Sequence, residues 1–211
     1  MGSKEDVAKN FRERFGEDFL RNEIIAFGSG TTVGKVIELM PPWAVEELSK
    51  KTIVSTSRDT SYALERKGLT VSSVWKKPDA IVDGADSVFE DLIIKGGGGA
   101  LLREKIAWRL ADVVYVVITK EKRNRYFNVP ALCLPDLVPI VQRAFPGARI
   151  RSGGKIPPVI SDEGFAILDI PRKDLRETYE KLEGYRPVII EHGIFDPKKL
   201  EIRKMEMVTD F

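Results

Sequence analysis

A repeated alternation of short apolar runs and helical segments is the sequence feature that most constrains the fold. Up to about residue 120, apolar runs recur at residues 24–27, 53–54, 80–82, 92–94 and 113–118, and residues 71–74, Val-Ser-Ser-Val, look like a further short strand. Continuous apolar runs of this kind are typical of strands buried on both faces, and the segments between them have helical spacing. Strands that alternate with helices form a parallel sheet with helices on both faces. The sequence therefore predicts an α/β fold with a doubly wound, mostly parallel sheet.

The pattern changes beyond residue 124. Prolines become frequent, and they are followed by a strand-like run, a helical segment and a second strand-like run at residues 165–170, 174–182 and 188–190. This predicts a second, smaller α+β domain over residues 125–191. The last apolar run, at 202–208, is expected to return to the main sheet. The larger domain then comprises residues 1–124 and is completed by residues 192–211.

Charge and composition exclude several classes of protein. The 34 basic and 32 acidic residues nearly cancel and form no long block of one sign, which indicates an ion-paired surface rather than a nucleic-acid-binding one. The single cysteine, Cys133, excludes an internal disulfide and a cysteine metal cage, and its apolar neighbours predict a buried thiol. No secretory signal and no apolar run of about 20 residues is present, so we expect a cytoplasmic protein without a membrane partner.

The first candidate site is a glycine- and hydroxyl-rich loop, residues 28–32, between a predicted strand and a predicted helix. Backbone N–H groups, hydroxyls and a helix N-terminus together favour an anion. The glycine spacing matches neither the dinucleotide fingerprint nor the nucleotide P-loop. The loop therefore predicts a monophosphate site that uses Ser29, Gly30, Thr31 and Thr32. A turn with a helix cap and no ligand is the alternative.

The second candidate site is the Asp-Gly-Ala-Asp stretch at residues 83–86, which ends an apolar run. Two carboxylates separated by very small residues leave room for a polar substrate and are suited to hydroxyl recognition and proton transfer. They are equally suited to a divalent metal, as in many phosphatases. A simple turn in which Asp86 caps a helix is the third interpretation.

The third candidate site begins at Lys95, which precedes four consecutive glycines and a helix. Glycine runs carry a high conformational entropy cost and favour close approach to the backbone. Glu104 shares its helical face with three alanines, so its carboxylate is expected to enter a cleft, with an ion-paired surface glutamate as the alternative. Lys95 can stabilise negative charge.

Four further residue types are assigned less specific roles. The only histidine, His192, is expected to stabilise a turn or an interface. Arg151 and Lys155 can either reach the site or remain solvated. The three tryptophans are expected to pack; they stand at positions 43, 75 and 108.

The order of these motifs resembles the type A ribose-5-phosphate isomerase family. The resemblance is carried by the loop at 28–32, Thr-Ser at 56–57, Asp-Gly-Ala-Asp at 83–86, the run from Lys95 to Lys105, and a late His-Gly-Ile-Phe. It implies a Rossmann-like sheet with a smaller α+β domain, a homodimer or homotetramer, and no metal or organic cofactor. It also implies an enediolate reaction in which a glutamate is the base. The four implied catalytic residues are Glu104, Asp83, Asp86 and Lys95. The residues implied to bind the sugar and its phosphate are Ser29, Gly30, Thr31, Thr32, Gly97, Gly98 and Lys122.

Among the departures of the chain from the family pattern, two affect polar residues beside the proposed site. Ser87 stands where the family usually has a glutamate, and Thr119 where it usually has an aspartate. These departures motivate one rival function, a non-catalytic sensor that binds a sugar phosphate. A metal-dependent phosphatase and an isomerase of another sugar phosphate are two further rivals. Retention of Asp83, Asp86 and Lys95 together with Glu104 favours the ribose 5-phosphate isomerase.

Overall fold

The computed structural model describes residues 2–152 and 159–210, and Lys155 lies outside them. The chain divides into two compact units. The first unit contains the residues up to Ala85, Arg103–Arg123 and the residues from Asp196 onward, and the second contains Asp86–Leu102 and Asn124–Phe195. The domain boundaries expected from the sequence, 1–124 with 192–211 and 125–191, stay a prediction.

Helices and strands alternate along much of the described chain. The helices are α1 (Lys4–Leu20), α2 (Thr31–Glu38), α3 (Pro42–Ser49), α4 (Arg58–Glu65), α5 (Leu101–Leu110), α6 (Val138–Ala144) and α7 (Leu175–Glu183), with 3-10 turns at Lys120–Lys122 and Pro135–Leu137. The strands are β1 (Ile24–Phe27), β2 (Thr52–Ser55), β3 (Ala80–Gly84), β4 (Ser87–Phe89), β5 (Leu92–Ile94), β6 (Val113–Val117), β7 (Val129–Cys133), β8 (Arg149–Ile150), β9 (Ala166–Ile170), β10 (Glu191–His192), β11 (Ile194–Phe195) and β12 (Lys204–Val208).

The first unit is built on a five-stranded parallel sheet with the strand order β12-β6-β3-β1-β2. This confirms the predicted α/β fold with a mostly parallel sheet, including the return of the last strand. The chain leaves β1 toward β2 on one side, whereas β3 pairs with β1 on the other side. Ligands of open α/β folds bind at such a switch point, beyond the carboxyl ends of the two strands. The loop at 28–32 and Asp83 both lie there.

The core of the first unit is apolar and aromatic. Phe11 and Phe19 of α1 pack edge-on against Tyr115 of β6, with ring centroids 5.6 and 5.7 Å apart. Edge-to-face pairs are a favoured aromatic geometry and add about 1 kcal/mol to the free energy gained by burial. The strand β3 is buried along its whole length. The end of β3, which carries Asp83, therefore belongs to a buried strand of this core.

The second unit is antiparallel. One sheet has the order β10-β7-β9-β8 and another has the order β11-β5-β4, and every pairing within them is antiparallel. The strand at 166–170 and the helix α7 are confirmed. Cys133 is buried as predicted, and burial raises the pKa of its thiol to about 11 because the thiolate is disfavoured away from water.

Three strand predictions were wrong in part. The run at 92–94 does form a strand, β5, but it pairs antiparallel with β4 and β11 rather than joining the parallel sheet. Val71 makes only an isolated bridge to Ile53, so residues 71–74 do not form a strand. Residues 188–190 belong to the irregular segment that follows α7, and the strand begins at Glu191. Short apolar runs indicate burial, but they do not identify the partner strand or the direction of pairing.

None of the helices in the described part of the chain is long and apolar enough to cross a membrane.

Candidate active site

The carboxyl ends of β1 and β3 hold a group of polar side chains that we call the carboxylate cluster, Ser29, Asp83, Glu104 and Trp108. All four belong to the first unit. A second group, residues 95–99, is the glycine loop of the second unit. Each group is described within its own unit.

Asp83 is the centre of the carboxylate cluster. It is fully buried, yet its side chain accepts several N–H groups. Its Oδ1 atom accepts the backbone N–H groups of Ser29 at 3.2 Å and Gly84 at 2.8 Å. Its Oδ2 atom accepts the indole N–H of Trp108 at 2.7 Å. Donors of this kind replace water around a buried carboxylate and stabilise its ionised form.

Gly28 is required by the position of Asp83. A Cβ atom at residue 28 would lie 1.9 Å from Asp83 Oδ1. The backbone at Gly28 is held in place from two sides, because its N–H donates to Val82 O at 2.8 Å and its carbonyl accepts from Thr60 Oγ1 at 2.8 Å. The first glycine of the loop therefore makes room for a carboxylate of the protein itself.

Glu104 lies in the first turn of α5 and is 2% exposed. The alternative interpretation as an ion-paired surface glutamate is therefore wrong. The Ser29 hydroxyl donates to Glu104 Oε1 at 2.7 Å. Ala107 and Ala111, which share its helical face, are buried as well. Ser29 thus contacts both carboxylates of the cluster, Asp83 through its backbone and Glu104 through its side chain.

The rest of the predicted phosphate loop, residues 30–32, forms the start of α2 and includes one buried hydroxyl. Gly30 is the N-cap of α2 and has a φ of 95°, a conformation that favours glycine. Thr31 is exposed, whereas Thr32 is 1% exposed. Among the described residues, the Thr32 hydroxyl and that of Thr56, which follows β2, have no hydrogen-bond partner. Buried hydroxyls of this kind are usually satisfied by water or a ligand, which fits an anion site at this edge of the sheet.

Lys122 lies beside the stretch that contains the two aspartates. Its Nζ atom donates to Ala85 O at 2.6 Å. Lys122 ends the 3-10 turn that follows β6, and Thr119, just before this turn, is buried with its hydroxyl 3.3 Å from Glu121 Oε1. The structure therefore brings a cation next to Ala85 from the adjacent strand end.

In the second unit, Asp86 anchors the glycine loop. Its Oδ2 atom accepts the N–H of Gly97 at 2.7 Å, and a Cβ atom at residue 97 would lie 2.7 Å from Asp86 Oδ1. Gly96 and Gly99 have φ values of 92° and 91°. Three of the four glycines are thus explained by backbone conformation or close approach. Gly98, the fourth, is exposed.

Lys95 is 2% exposed at the end of β5. Its backbone N–H donates to Gly193 O at 2.8 Å, and its ammonium group lies 5.8 Å from the centre of the Phe195 ring. Lysines are almost never buried this deeply unless their charge is paired.

Arg151 braces the glycine loop. Its guanidinium donates from Nε to Asp169 Oδ2 at 3.0 Å and from Nη2 to Asp169 Oδ1. Its Nη1 atom donates to the carbonyls of Gly96 at 3.1 Å and Gly97 at 2.9 Å. The sequence left open whether this arginine is solvated; it is instead mostly buried and paired.

His192 has the structural role expected of it. Its Nδ1 atom accepts the N–H of Ile194 at 3.2 Å, so Nδ1 carries no proton and the hydrogen resides on Nε2. Nε2 then donates to Glu183 Oε1 at 2.6 Å. This hydrogen bond, with the nearby Arg186, lowers the pKa of Glu183 to about 2. The histidine ties α7 to the turn between β10 and β11.

Across residues 2–152 and 159–210, no group of three or more His, Cys, Asp or Glu side chains is arranged to hold a metal ion.

Two features of the site were missed by the sequence reasoning. Trp108 was expected only to pack, and the Ser29 hydroxyl was assigned to a phosphate alone. The one available signal was the position of Trp108 four residues after Glu104, which places both side chains on one face of α5.

Comparison with known proteins identifies several similar ones. The family model described as ribose 5-phosphate isomerase A (phosphoriboisomerase A) matches residues 52–202. Ribose-5-phosphate isomerase A of Archaeoglobus fulgidus is 32% identical over 191 residues, which cover 84% of this chain and 85% of that protein. The structure of ribose 5-phosphate isomerase A from Methanocaldococcus jannaschii superposes with a TM-score of 0.80 at 26% identity, covering 99% of this chain and 94% of the other. A D-ribose-5-phosphate isomerase in complex with phospho-erythronic acid gives a TM-score of 0.79 at 26% identity, covering 98% and 93%.

Proposed function

The chain belongs to the ribose 5-phosphate isomerase A family, and we propose that it interconverts ribose 5-phosphate and ribulose 5-phosphate with Glu104 as the base. The observation that carries this proposal is the buried Glu104 carboxylate, which accepts the Ser29 hydroxyl at the strand ends where Asp83 is also held. A carboxylate that is shielded from water and oriented by a donor is suited to proton transfer at carbon.

The proposed reaction moves one proton between two neighbouring carbons of the open-chain sugar. Glu104 removes the proton from carbon 2 of the aldose, and the electron pair left behind forms an enediolate with the carbonyl at carbon 1. The same carboxylate returns the proton to carbon 1. The proton of the carbon 2 hydroxyl passes to the oxygen at carbon 1, so carbon 2 becomes the carbonyl of the ketose and carbon 1 carries the hydroxyl. No net oxidant or reductant is consumed.

The other side chains are assigned to charge stabilisation and substrate orientation. Lys95 is proposed to stabilise the negative charge that develops on the enediolate oxygens. Asp83 and Asp86 are proposed to hold the sugar hydroxyls and to assist ring opening. These roles follow from the family resemblance, and the burial of Asp83 and Lys95 supports them.

The phosphate is proposed to bind at the first loop, with further contacts from Gly97, Gly98 and Lys122. The left-handed Gly30 at the start of α2 and the buried hydroxyl of Thr32 support this assignment. Fixing the non-reacting end of the sugar places the reacting carbons, so binding energy far from the chemistry contributes to rate.

Replacement of the base tests the proposal directly. Glu104→Gln keeps the shape and removes the proton acceptor, so we expect turnover of ribose 5-phosphate to fall by about 100- to 10,000-fold while phospho-erythronic acid still binds. The matched control is Glu65→Gln, an exposed glutamate of α4, which should leave turnover unchanged. Turnover of Glu104→Gln within threefold of the parent would exclude Glu104 as the base.

The same assay separates the rival functions. A sensor would bind the sugar phosphate without interconverting it. A metal-dependent phosphatase would release inorganic phosphate and lose activity with a chelator, whereas an isomerase would do neither. In the structure the Ser87 hydroxyl donates to Arg125 O at 2.6 Å, so this departure from the family serves a local structural contact.

We also propose that the protein works in the cytoplasm as a homodimer or homotetramer. The family resemblance supports this assembly. Light scattering on the purified protein, coupled to size-exclusion chromatography, measures the oligomeric state, and a monomer of 23.7 kDa would contradict it.

A further inference from the structure

The two oxygens of the Asp83 carboxylate are held by different kinds of donor. Oδ1 accepts two backbone N–H groups, which remain whatever side chains stand at residues 29 and 84. Oδ2 accepts the indole N–H of Trp108 at 2.7 Å, a donor that depends on this one residue type. Donors on one oxygen fix that atom, and a donor on the second oxygen sets the plane in which the carboxylate lies. A hydrogen bond to a charged group is also stronger than one between neutral groups.

The same tryptophan is linked to the proposed base through the helix. Trp108 follows Glu104 by four residues, so the two side chains project from the same face of α5, about 6 Å apart along its axis. Glu104 accepts the hydroxyl of Ser29, and the N–H of Ser29 donates to Asp83. The contacts close a ring, from Asp83 through Ser29 and Glu104 along α5 to Trp108 and back to Asp83.

We infer that Trp108 is a positioning residue of the reaction: its indole N–H orients the Asp83 carboxylate and holds it in register with Glu104. The inference rests on the proposed isomerase function, in which Asp83 holds the sugar. Trp108 does not touch the substrate in this scheme and acts through Asp83.

A purely structural role is the competing explanation, because Trp108 is fully buried and its ring fills part of the core. The two roles separate when the N–H is removed and the ring is kept. Trp108→Phe removes the donor and part of the volume. Benzothienylalanine, a tryptophan analogue with sulfur in place of the N–H, removes the donor alone; it is incorporated in a Trp43→Phe/Trp75→Phe background, where residue 108 is the only tryptophan left.

A double-mutant cycle with Asp83→Asn tests the inference. We expect Trp108→Phe to lower kcat/KM by about 10- to 100-fold, the range that corresponds to the loss of one hydrogen bond to a charged group. In the Asp83→Asn background the same change should lower kcat/KM by less than threefold, because the group through which Trp108 acts is already altered. Where turnover of Asp83→Asn is too slow to follow, the cycle is run on the dissociation constant of phospho-erythronic acid.

Two controls test whether the effect is specific to Trp108 and its contact with Asp83. Trp75→Phe, a matched substitution at a partly exposed tryptophan, should leave kcat/KM unchanged. The indole N–H signal of Trp108 in a ¹H–¹⁵N spectrum should move in Asp83→Asn, whereas the signals of Trp43 and Trp75 should not.

Two results would overturn the positioning role while leaving the isomerase intact. One is a benzothienylalanine protein with kcat/KM within twofold of its Trp43→Phe/Trp75→Phe parent. The other is an equal loss from Trp108→Phe in the parent protein and in the Asp83→Asn background. Failure of the proposed function has a different signature, since the parent protein itself would then not interconvert ribose 5-phosphate and ribulose 5-phosphate.

Discussion

The carboxylate cluster and the glycine loop depend on different kinds of contact. In the cluster, backbone N–H groups bind Asp83, and side-chain donors add to them, as with the Trp108 indole on Asp83 and the Ser29 hydroxyl on Glu104. In the glycine loop the backbone itself is shaped, by left-handed glycines and by Arg151 on two carbonyls. Substitutions in the cluster should therefore change the reacting geometry, whereas substitutions that loosen the loop should mainly weaken substrate binding.

The largest loss of kcat/KM is expected at Gly28, where the backbone passes directly beside the Asp83 carboxylate of the cluster. Gly28→Ala places a Cβ atom 1.9 Å from Asp83 Oδ1, so the carboxylate must move. A displacement on this scale lowers kcat/KM by about 100-fold or more. Steady-state kinetics with ribose 5-phosphate measures it. The matched control is Gly34→Ala in α2, where a Cβ atom meets nothing within 4 Å and the helix should gain up to about 1 kcal/mol. Near-normal activity of Gly28→Ala would show that the exact place of Asp83 is unimportant.

A smaller effect is expected from the hydroxyl that orients the base. Ser29→Ala removes the donor to Glu104 and keeps the backbone N–H that binds Asp83. We expect kcat to fall by about 10-fold, and Ser29→Thr, which retains a hydroxyl, to recover most of it. A rise in KM with unchanged kcat would instead assign the hydroxyl to the phosphate, as the sequence first indicated.

In the glycine loop we expect binding and stability to change together. Arg151→Ala removes the donors to Gly96 and Gly97 and leaves Asp169 without this partner. The free energy of unfolding should fall by about 2 kcal/mol, because a partly buried carboxylate loses its counter-charge. KM should rise severalfold with a smaller change in kcat. Arg151→Lys retains the positive charge but cannot make the same paired hydrogen bonds. Its stability and its KM should therefore lie between those of the parent protein and those of Arg151→Ala. A fall in the kcat of Arg151→Ala with unchanged KM would contradict the expectation that the glycine loop acts on substrate binding and the carboxylate cluster on the reaction.

The smallest effect is expected at Glu183, in the second unit but outside the loop. Its pKa is lowered from 4.5 to about 2 by the hydrogen bond with His192, so its ionised form stabilises the folded state above pH 4.5. This contribution is lost as the pH falls from 4.5 toward 2. Because the side chain is 40% exposed, solvent limits the contribution to about 1 kcal/mol or less. Thermal unfolding should show Glu183→Gln less stable at pH 7, with the difference shrinking below pH 4.5 and KM unchanged. A gap that persists at pH 2 would contradict this origin.

The parallel sheet was predictable because its signal is local. The runs that became β1, β3 and β6 are continuous and apolar, and strands buried on both faces require such runs. The run at 92–94 carries the same signal but became an antiparallel strand, and 71–74 formed no strand at all. The pairing of a strand depends on which other strand packs beside it and bonds to its backbone N–H and C=O groups. An apolar run does not specify that partner.

By itself, the sequence determined the α/β class, the positions of the three loops, and the identities of the charged residues that they carry. These features follow from apolar periodicity, glycine placement and residue chemistry, all of which are readable within short windows. Only the tertiary structure decided that Ser29 meets Glu104 across 75 positions of chain and that Trp108 meets Asp83 across 25. Contacts of this length depend on how strands and helices pack in three dimensions, and no local pattern in the chain specifies which two polar groups will end within hydrogen-bond distance.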